Sequence, residues 1–245
     1  MKKITNPNDI VEEFVTDYRG LFGDELVSVV MYGSAVTHEY RPGVSDINTV
    51  IVLKDYSIER MQKCLSVAKK WARRKVTVPF FMTKRFIASS LDSYPVEFLD
   101  IQLNYRVLYG EDVFAKLEIK RDDMRLQCER ELRGISIHLR KEFVYCNGNA
   151  DTLSRLLNVS IKKLLPVFKA LLRFNNRPVP KMKNDVIMAV EDLYNLGASA
   201  LSEALQSTRR VTSRRAFESL FDTYLKTIDT LIDQIDAANN ERVNI

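Results

Sequence analysis

Residues 26–32 (Leu-Val-Ser-Val-Val-Met-Tyr) form an apolar run broken only by Ser28, and the run stops at Gly33-Ser34. A second apolar run, residues 47–53, starts directly after Asp46. Both have strand length and are rich in β-branched residues. Ahead of them Asn8-Asp9 can open a helix, and Ile10, Val11, Phe14, Val15 and Tyr18 follow at helical spacing. Behind them Ile58, Met61, Leu65, Ala68, Trp71 and Ala72 mark a second helix, with the basic residues Lys69-Lys70 and Arg73-Arg74-Lys75 at its end. Residues 76–82 read as a strand that Pro79 confines to an edge or a bulge. Residues 83–92 read as a short helix, Pro95 as a boundary, and residues 96–109 as one or two further strands.

From about Ala115 the period changes to that of helices. Met124, Cys128, Leu132, Ile135, Leu139 and Phe143 form one stripe, which ends at Cys146-Asn147-Gly148-Asn149. Leu153, Leu156, Leu157, Ile161, Leu164, Leu165, Phe168 and Leu172 form a second, with Pro166 inside it expected to kink or split the helix. Val186 to Leu205 carries a third stripe that Gly197 should bend or break, and Phe217, Leu220, Phe221, Tyr224, Ile228, Leu231 and Ile235 form a fourth. Stripes of this kind joined by short polar breaks predict an all-α antiparallel helical bundle. The fold class is therefore α+β: a small mixed-sheet domain over residues 1–115, then a helical bundle domain over residues 116–245.

Composition narrows the setting. No apolar stretch reaches the length of a membrane span. Polar residues from Asn6 to Glu13 interrupt the apolar segment a signal peptide would need. The three cysteines, Cys64, Cys128 and Cys146, are unclustered and suggest neither a disulfide framework nor a zinc site. A cytoplasmic location is the expectation. His38 and His138 belong to no recognisable metal or nucleophile motif. The first 115 residues balance at 15 Lys+Arg against 15 Asp+Glu, so the net charge of +5 lies in the second half, at 22 against 17. Arg209-Arg210 and Arg214-Arg215 bracket residues 211–213 there and could face phosphates or nucleic acid. No nucleic-acid-binding motif accompanies them, so nucleic acid is allowed but not indicated. Homo-oligomerisation is left open.

The chemistry gathers around the first two runs. Asp46 and Asn48 are two apart, so on a strand both would point to one face. A glycine lets backbone approach a phosphate, and the hydroxyl that follows can donate to it. Met31-Tyr32-Gly33-Ser34-Ala35, then an eleven-residue spacer from Ser34, then Asp46-Ile47-Asn48, resembles the nucleotidyltransferases related to DNA polymerase β. Their pattern is a strand, Gly-Ser, a spacer of roughly ten residues, and Asp-x-Asp on the next strand. The resemblance implies a Mg²⁺-dependent transfer of a nucleoside monophosphate from a nucleoside triphosphate to an acceptor. Gly33 and Ser34 would then bind the triphosphate and Asp46 would bind metal. Asn48 departs from the pattern; it offers a carbonyl oxygen without charge, and so weakens any Mg²⁺ held there. The later segment Leu108-Tyr109-Gly110-Glu111-Asp112 resembles the stretch that follows the last core strand in many bacterial relatives. Here Gly110 permits a tight turn and Glu111-Asp112 suit a helix start.

The family normally supplies a third carboxylate from a neighbouring strand, and residues 95–102 offer two. If they form a strand, parity places Asp100 on the more polar face with Gln102, which favours Asp100. Pro95-Val96-Glu97 instead resembles the Pro-x-Glu that opens this strand in aminoglycoside nucleotidyltransferases, which favours Glu97. A bulge after Pro95 would reconcile the two. The adopted site is Asp46 and Glu97 as catalytic carboxylates, with Asp46, Asn48 and Glu97 as metal ligands. The helical domain is similar in architecture to that of kanamycin nucleotidyltransferase-like proteins. Three functions fit: a Mg²⁺-dependent nucleotidyltransferase with an unidentified acceptor, a nucleotide-binding regulatory relative with a degenerate site, or an interaction module with a vestigial cleft.

Overall fold

The computed structural model describes residues 4–147, 149–197, 200–210 and 214–243, with side chains throughout except at 207–210, 214 and 238–243. The chain divides into two units, Met1–Lys120 and Arg121–Ile245.

The first unit is built on a four-stranded sheet. Its strands are β1 (Leu26–Tyr32), β2 (Asn48–Leu53), β3 (Phe80–Thr83) and β4 (Tyr105–Gly110), ordered β3-β2-β1-β4. β1 is antiparallel to both β2 and β4, while β3 lies parallel to β2, so the sheet is mixed. The two apolar runs occupy its two central positions and are almost fully buried. Pro79 lies just outside β3, and β3 is an edge strand, which is where a missing N–H costs least.

Helices cover both faces of this sheet. On one, α1 (Val11–Phe22) and α3 (Leu65–Ala72) bring Phe14, Tyr18 and Trp71 against Val29, Met31, Ile51 and Leu53. On the other, Val30, Val50 and Val52 pack with Ile87 of α4 (Lys84–Ser89), Phe98 and Ile101 of α5 (Pro95–Leu103), and Phe114. The helix predicted around Ile58–Ala72 is two pieces, α2 (Ile58–Lys63) and α3, which meet at Cys64.

The largest departure from the sequence reading is α5. Residues 95–103 form a helix, and only residues 105–110 form a strand. Pro95 sits in the first turn, where its missing N–H costs nothing, and Glu97 is the acid of that turn. Pro95, Val96, Phe98, Leu99 and Ile101 are all buried, so the segment is apolar around most of its circumference. Such a short run has neither a clear helical nor a clear strand period.

Gly110 closes β4 for a reason other than a free turn. Its φ is +78°, and a Cβ there would stand 2.0 Å from the Val27 carbonyl oxygen. Glu111 N–H then donates to that same carbonyl at 3.1 Å.

The second unit is helical in all its described elements: α6 (Arg121–Tyr145), α7 (Ala150–Phe174), α8 (Lys183–Leu193), α9 (Ala200–Arg210) and α10 (Arg214–Val243). Asn149 caps α7 by accepting from Thr152 N–H. Pro166 does not split α7, which runs unbroken past it. The third apolar stripe is two helices, α8 and α9; the backbone leaves α8 through Asn195 and Gly197, both at positive φ. Ser160 and Tyr224 hydroxyls meet at 2.9 Å inside the bundle. Residues 211–213 of the arginine cluster, and the side chains of Arg209, Arg210 and Arg214, lie outside the described residues.

Candidate functional site

The register of the sheet assembles one end of β1 into a site. Tyr32 pairs with Asn48 on one side and with Tyr105 on the other. The chain then turns through a short 3₁₀ segment, Gly33–Val36. Gly33 has φ +75° and donates its N–H to the Asn104 carbonyl at 2.8 Å, which ties the turn to the start of β4. A Cβ on Gly33 would lie 3.6 Å from the Asn48 amide nitrogen. The Gly-Ser turn and Asn48 are therefore neighbours, as the motif spacing implied. The Ser34 carbonyl accepts from Thr37 N–H and from Thr37 Oγ1. No hydrogen bond engages the Ser34 hydroxyl among the described residues.

Asn48 is held rather than loose. Ile47 N–H donates to the Lys75 carbonyl at 2.9 Å, and Thr77 N–H donates to the Ile47 carbonyl at 2.9 Å. These backbone bonds set Thr77 beside Asn48, where Thr77 Oγ1 donates to Asn48 Oδ1 at 3.2 Å. They also set Lys75 beside Asp46. Lys75 Nζ stands 3.8 Å from Asp46 Oδ1, and both side chains are slightly more than half exposed. Lys75 adopts φ +67°, a costly conformation for a residue with a Cβ. Burial raises the Tyr40 hydroxyl above the ordinary tyrosine range, and the Asp46 charge adds to it.

The third carboxylate is where the sequence reading needs correction. The chain beside β2 is β3 with the segment leading into it, residues 76–83, Val-Thr-Val-Pro-Phe-Phe-Met-Thr, and it carries no acid. Glu97 and Asp100 lie on α5, so neither strand parity nor a strand-opening Pro-x-Glu describes them. On a helix they are three apart and share a face. Glu97 is exposed and Asp100 half-buried. α5 packs against the Gly33–Val36 turn. Asp100 is also near the Tyr32 hydroxyl, whose pKa is pushed up first by burial and then by that carboxylate.

These donors do not fit a dedicated Mg²⁺ site of the family kind. Among the described residues no group of three or more His, Cys, Asp or Glu could hold a metal ion. One carboxylate, Asp46, faces a resident cation, and the Asn48 carbonyl oxygen already accepts from Thr77. The sequence reading missed Lys75, Thr77 and Asn104. Lys75 and Thr77 sit immediately before the edge strand, the only signal that could have placed them beside the Asp46 pair.

No protein-family model matches the sequence, and no curated protein sequence matches it. The structure matches that of spectinomycin adenyltransferase AAD(9) from Enterococcus faecialis, crystallised with ATP and spectinomycin. The match has a TM-score of 0.55 at 12% identity and covers 92% of this chain and 99% of that one. At that identity the likeness shows the fold alone, and the fold is that of an α+β core followed by helices, as in that nucleotidyltransferase.

Proposed function

We propose that this protein binds a nucleoside triphosphate at the Gly33–Ser34 turn, with Lys75 supplying the positive charge that the phosphates require. The observation that carries this reading is Lys75 Nζ at 3.8 Å from Asp46, two residues before the Asn48 that neighbours Gly33, in a Gly-Ser turn whose serine hydroxyl is unengaged among the described residues. An ammonium is a point charge with three donors and suits phosphate oxygens. Asp46 orients that ammonium. Asn48, locked to Thr77, offers the ligand its amide N–H₂ in place of a second negative charge. On this reading the protein is a nucleotide-binding relative of the transferases, and its nucleotidyl transfer is slow.

Calorimetry with ATP, GTP, CTP and UTP, each with and without Mg²⁺, tests it. Binding that persists in chelator and weakens by roughly tenfold in Lys75→Gln supports the reading. No binding of any triphosphate ends it.

A second reading, transfer to an acceptor hydroxyl, rests on Glu97 and Asp100 lying on the helix that packs against the turn. Either carboxylate could take the acceptor's proton. The structural neighbour was crystallised with ATP and spectinomycin, so spectinomycin is the first acceptor to try. Labelled triphosphate incubated with protein and spectinomycin, in Mg²⁺ or Mn²⁺, should release pyrophosphate if this reading holds. Turnover lost in Glu97→Gln but kept in Asp100→Asn would assign the acid that the sequence pattern favoured.

A further inference from the structure

The outer edge of the sheet carries a groove that nucleotide binding does not use. β2 pairs with one side of β3, and no strand among the described residues pairs with the other. The residues leading into β3 form one wall of a cavity of about 640 Å³, and α2 with α3 form the opposite wall. Three large apolar side chains in this lining are more than half exposed, Ile58 at 72%, Leu65 at 66% and Val78 at 62%, while the Phe80 ring stacks against Tyr32 at 6.4 Å between centroids. Single exposed apolar residues are ordinary, but three on one groove suit contact with another molecule.

The charge around the groove selects the occupant. Lys69 lines it, and Lys63 and Arg73 follow lining residues directly in the sequence. Other cations of the same helices are already paired: Arg60 with Glu25, Lys70 with Glu13 and Asp17, and Arg74 with Glu13. Lys63, Lys69 and Arg73 have no ion pair among the described residues, and Glu59 is the sole acid in residues 58–75. A second copy of this chain seated here would bring like charges together. An acidic partner would neutralise them.

The edge selects its shape. An unpaired strand presents alternate N–H and C=O groups that an added strand can satisfy, and every second side chain of that strand then enters the groove. We propose that this groove binds an extended segment of a partner protein as a strand added to β3. The segment carries large apolar residues at alternate positions, with acidic residues between them.

Anisotropy of a fluorescein-labelled heptapeptide, Glu-Ile-Asp-Val-Glu-Leu-Asp, tests this on the full-length protein. Its affinity should drop by roughly tenfold in Leu65→Asp and by about threefold in Lys69→Glu, and should weaken with added salt. Both side chains project from the surface, so both variants should keep the circular dichroism of the parent. Amide exchange at residues 80–83 should slow when the peptide binds. Three results would overturn the proposal. They are absence of binding, equal binding of Lys-Ile-Lys-Val-Lys-Leu-Lys, and a Leu65-sensitive self-association seen by sedimentation, which would assign the groove to a second copy.

Discussion

Thr77 Oγ1 stands 3.2 Å from both Asn48 Oδ1 and the Ile47 carbonyl oxygen, so its one proton is shared between them, and it lies there because Thr77 N–H is bonded to the carbonyl of Ile47, the residue before Asn48. The side-chain oxygen at the second motif position is thereby turned toward Thr77. A carboxylate at position 48 would still satisfy Thr77 with one oxygen and keep a second for a cation.

Asn48→Asp should therefore fold normally and bind Mg²⁺ tighter by roughly tenfold, since an ionised carboxylate attracts a divalent cation far more than an amide does. Asp46→Asn should lower the residual metal affinity. Calorimetry with Mg²⁺ in the presence of ATP checks both. Unchanged affinity in both variants would remove this strand from any metal-binding role.

Two glycines on the same strand network should respond very differently to alanine. At Gly110 the new Cβ would meet the Val27 carbonyl oxygen at 2.0 Å, in addition to φ +78°, so Gly110→Ala should cost ~3 kcal/mol. At Gly33 the nearest atom would be the Asn48 amide nitrogen at an ordinary 3.6 Å, so Gly33→Ala should cost only the backbone term, about 1 kcal/mol. Urea denaturation of the two variants gives the comparison, and equal costs would mean the β1–β4 approach is misdrawn.

The Ser160–Tyr224 pair should be asymmetric. Ser160 Oγ donates to the Leu157 carbonyl at 2.9 Å, so the Tyr224 hydroxyl is the donor between the two. Tyr224→Phe leaves Ser160 bonded to Leu157 and should cost about 1 kcal/mol. Ser160→Ala strands a buried phenol and should cost more, roughly 2 kcal/mol. A larger loss for Tyr224→Phe would contradict this donor assignment.

Acid should weaken the α1–α3 junction. Lys70 and Arg74 hold the Glu13 carboxyl below its ordinary value through hydrogen bonds and charge. A depressed carboxyl contributes stability above its unfolded pKa and loses it as pH falls through the folded value. The loss should appear between about pH 5 and pH 3. Glu13 is nearly half exposed, so solvent limits the effect to a few tenths of a kcal/mol. Glu13→Gln should flatten the melting temperature over that window, and an unchanged slope would show that other carboxylates govern it.

The sequence determined the central strands, because residues 26–32 and 47–53 are short apolar runs rich in β-branched residues, which suit a buried sheet. The Gly33–Asn48 adjacency comes from the antiparallel register of β1 and β2, which pairs Tyr32 with Asn48. The helical character of the second half was legible from its period, although the number of helices depended on the local break at Gly197. The third carboxylate was not legible. Residues 95–103 are apolar on most sides, so helix and strand bury them equally well, and only packing against Val30, Val50 and Val52 selects the helix. Nor could the sequence place Lys75 beside Asp46 or Thr77 beside Asn48. Those relationships come from a parallel pairing between segments about thirty residues apart, and pairing at that distance is a property of the assembled sheet.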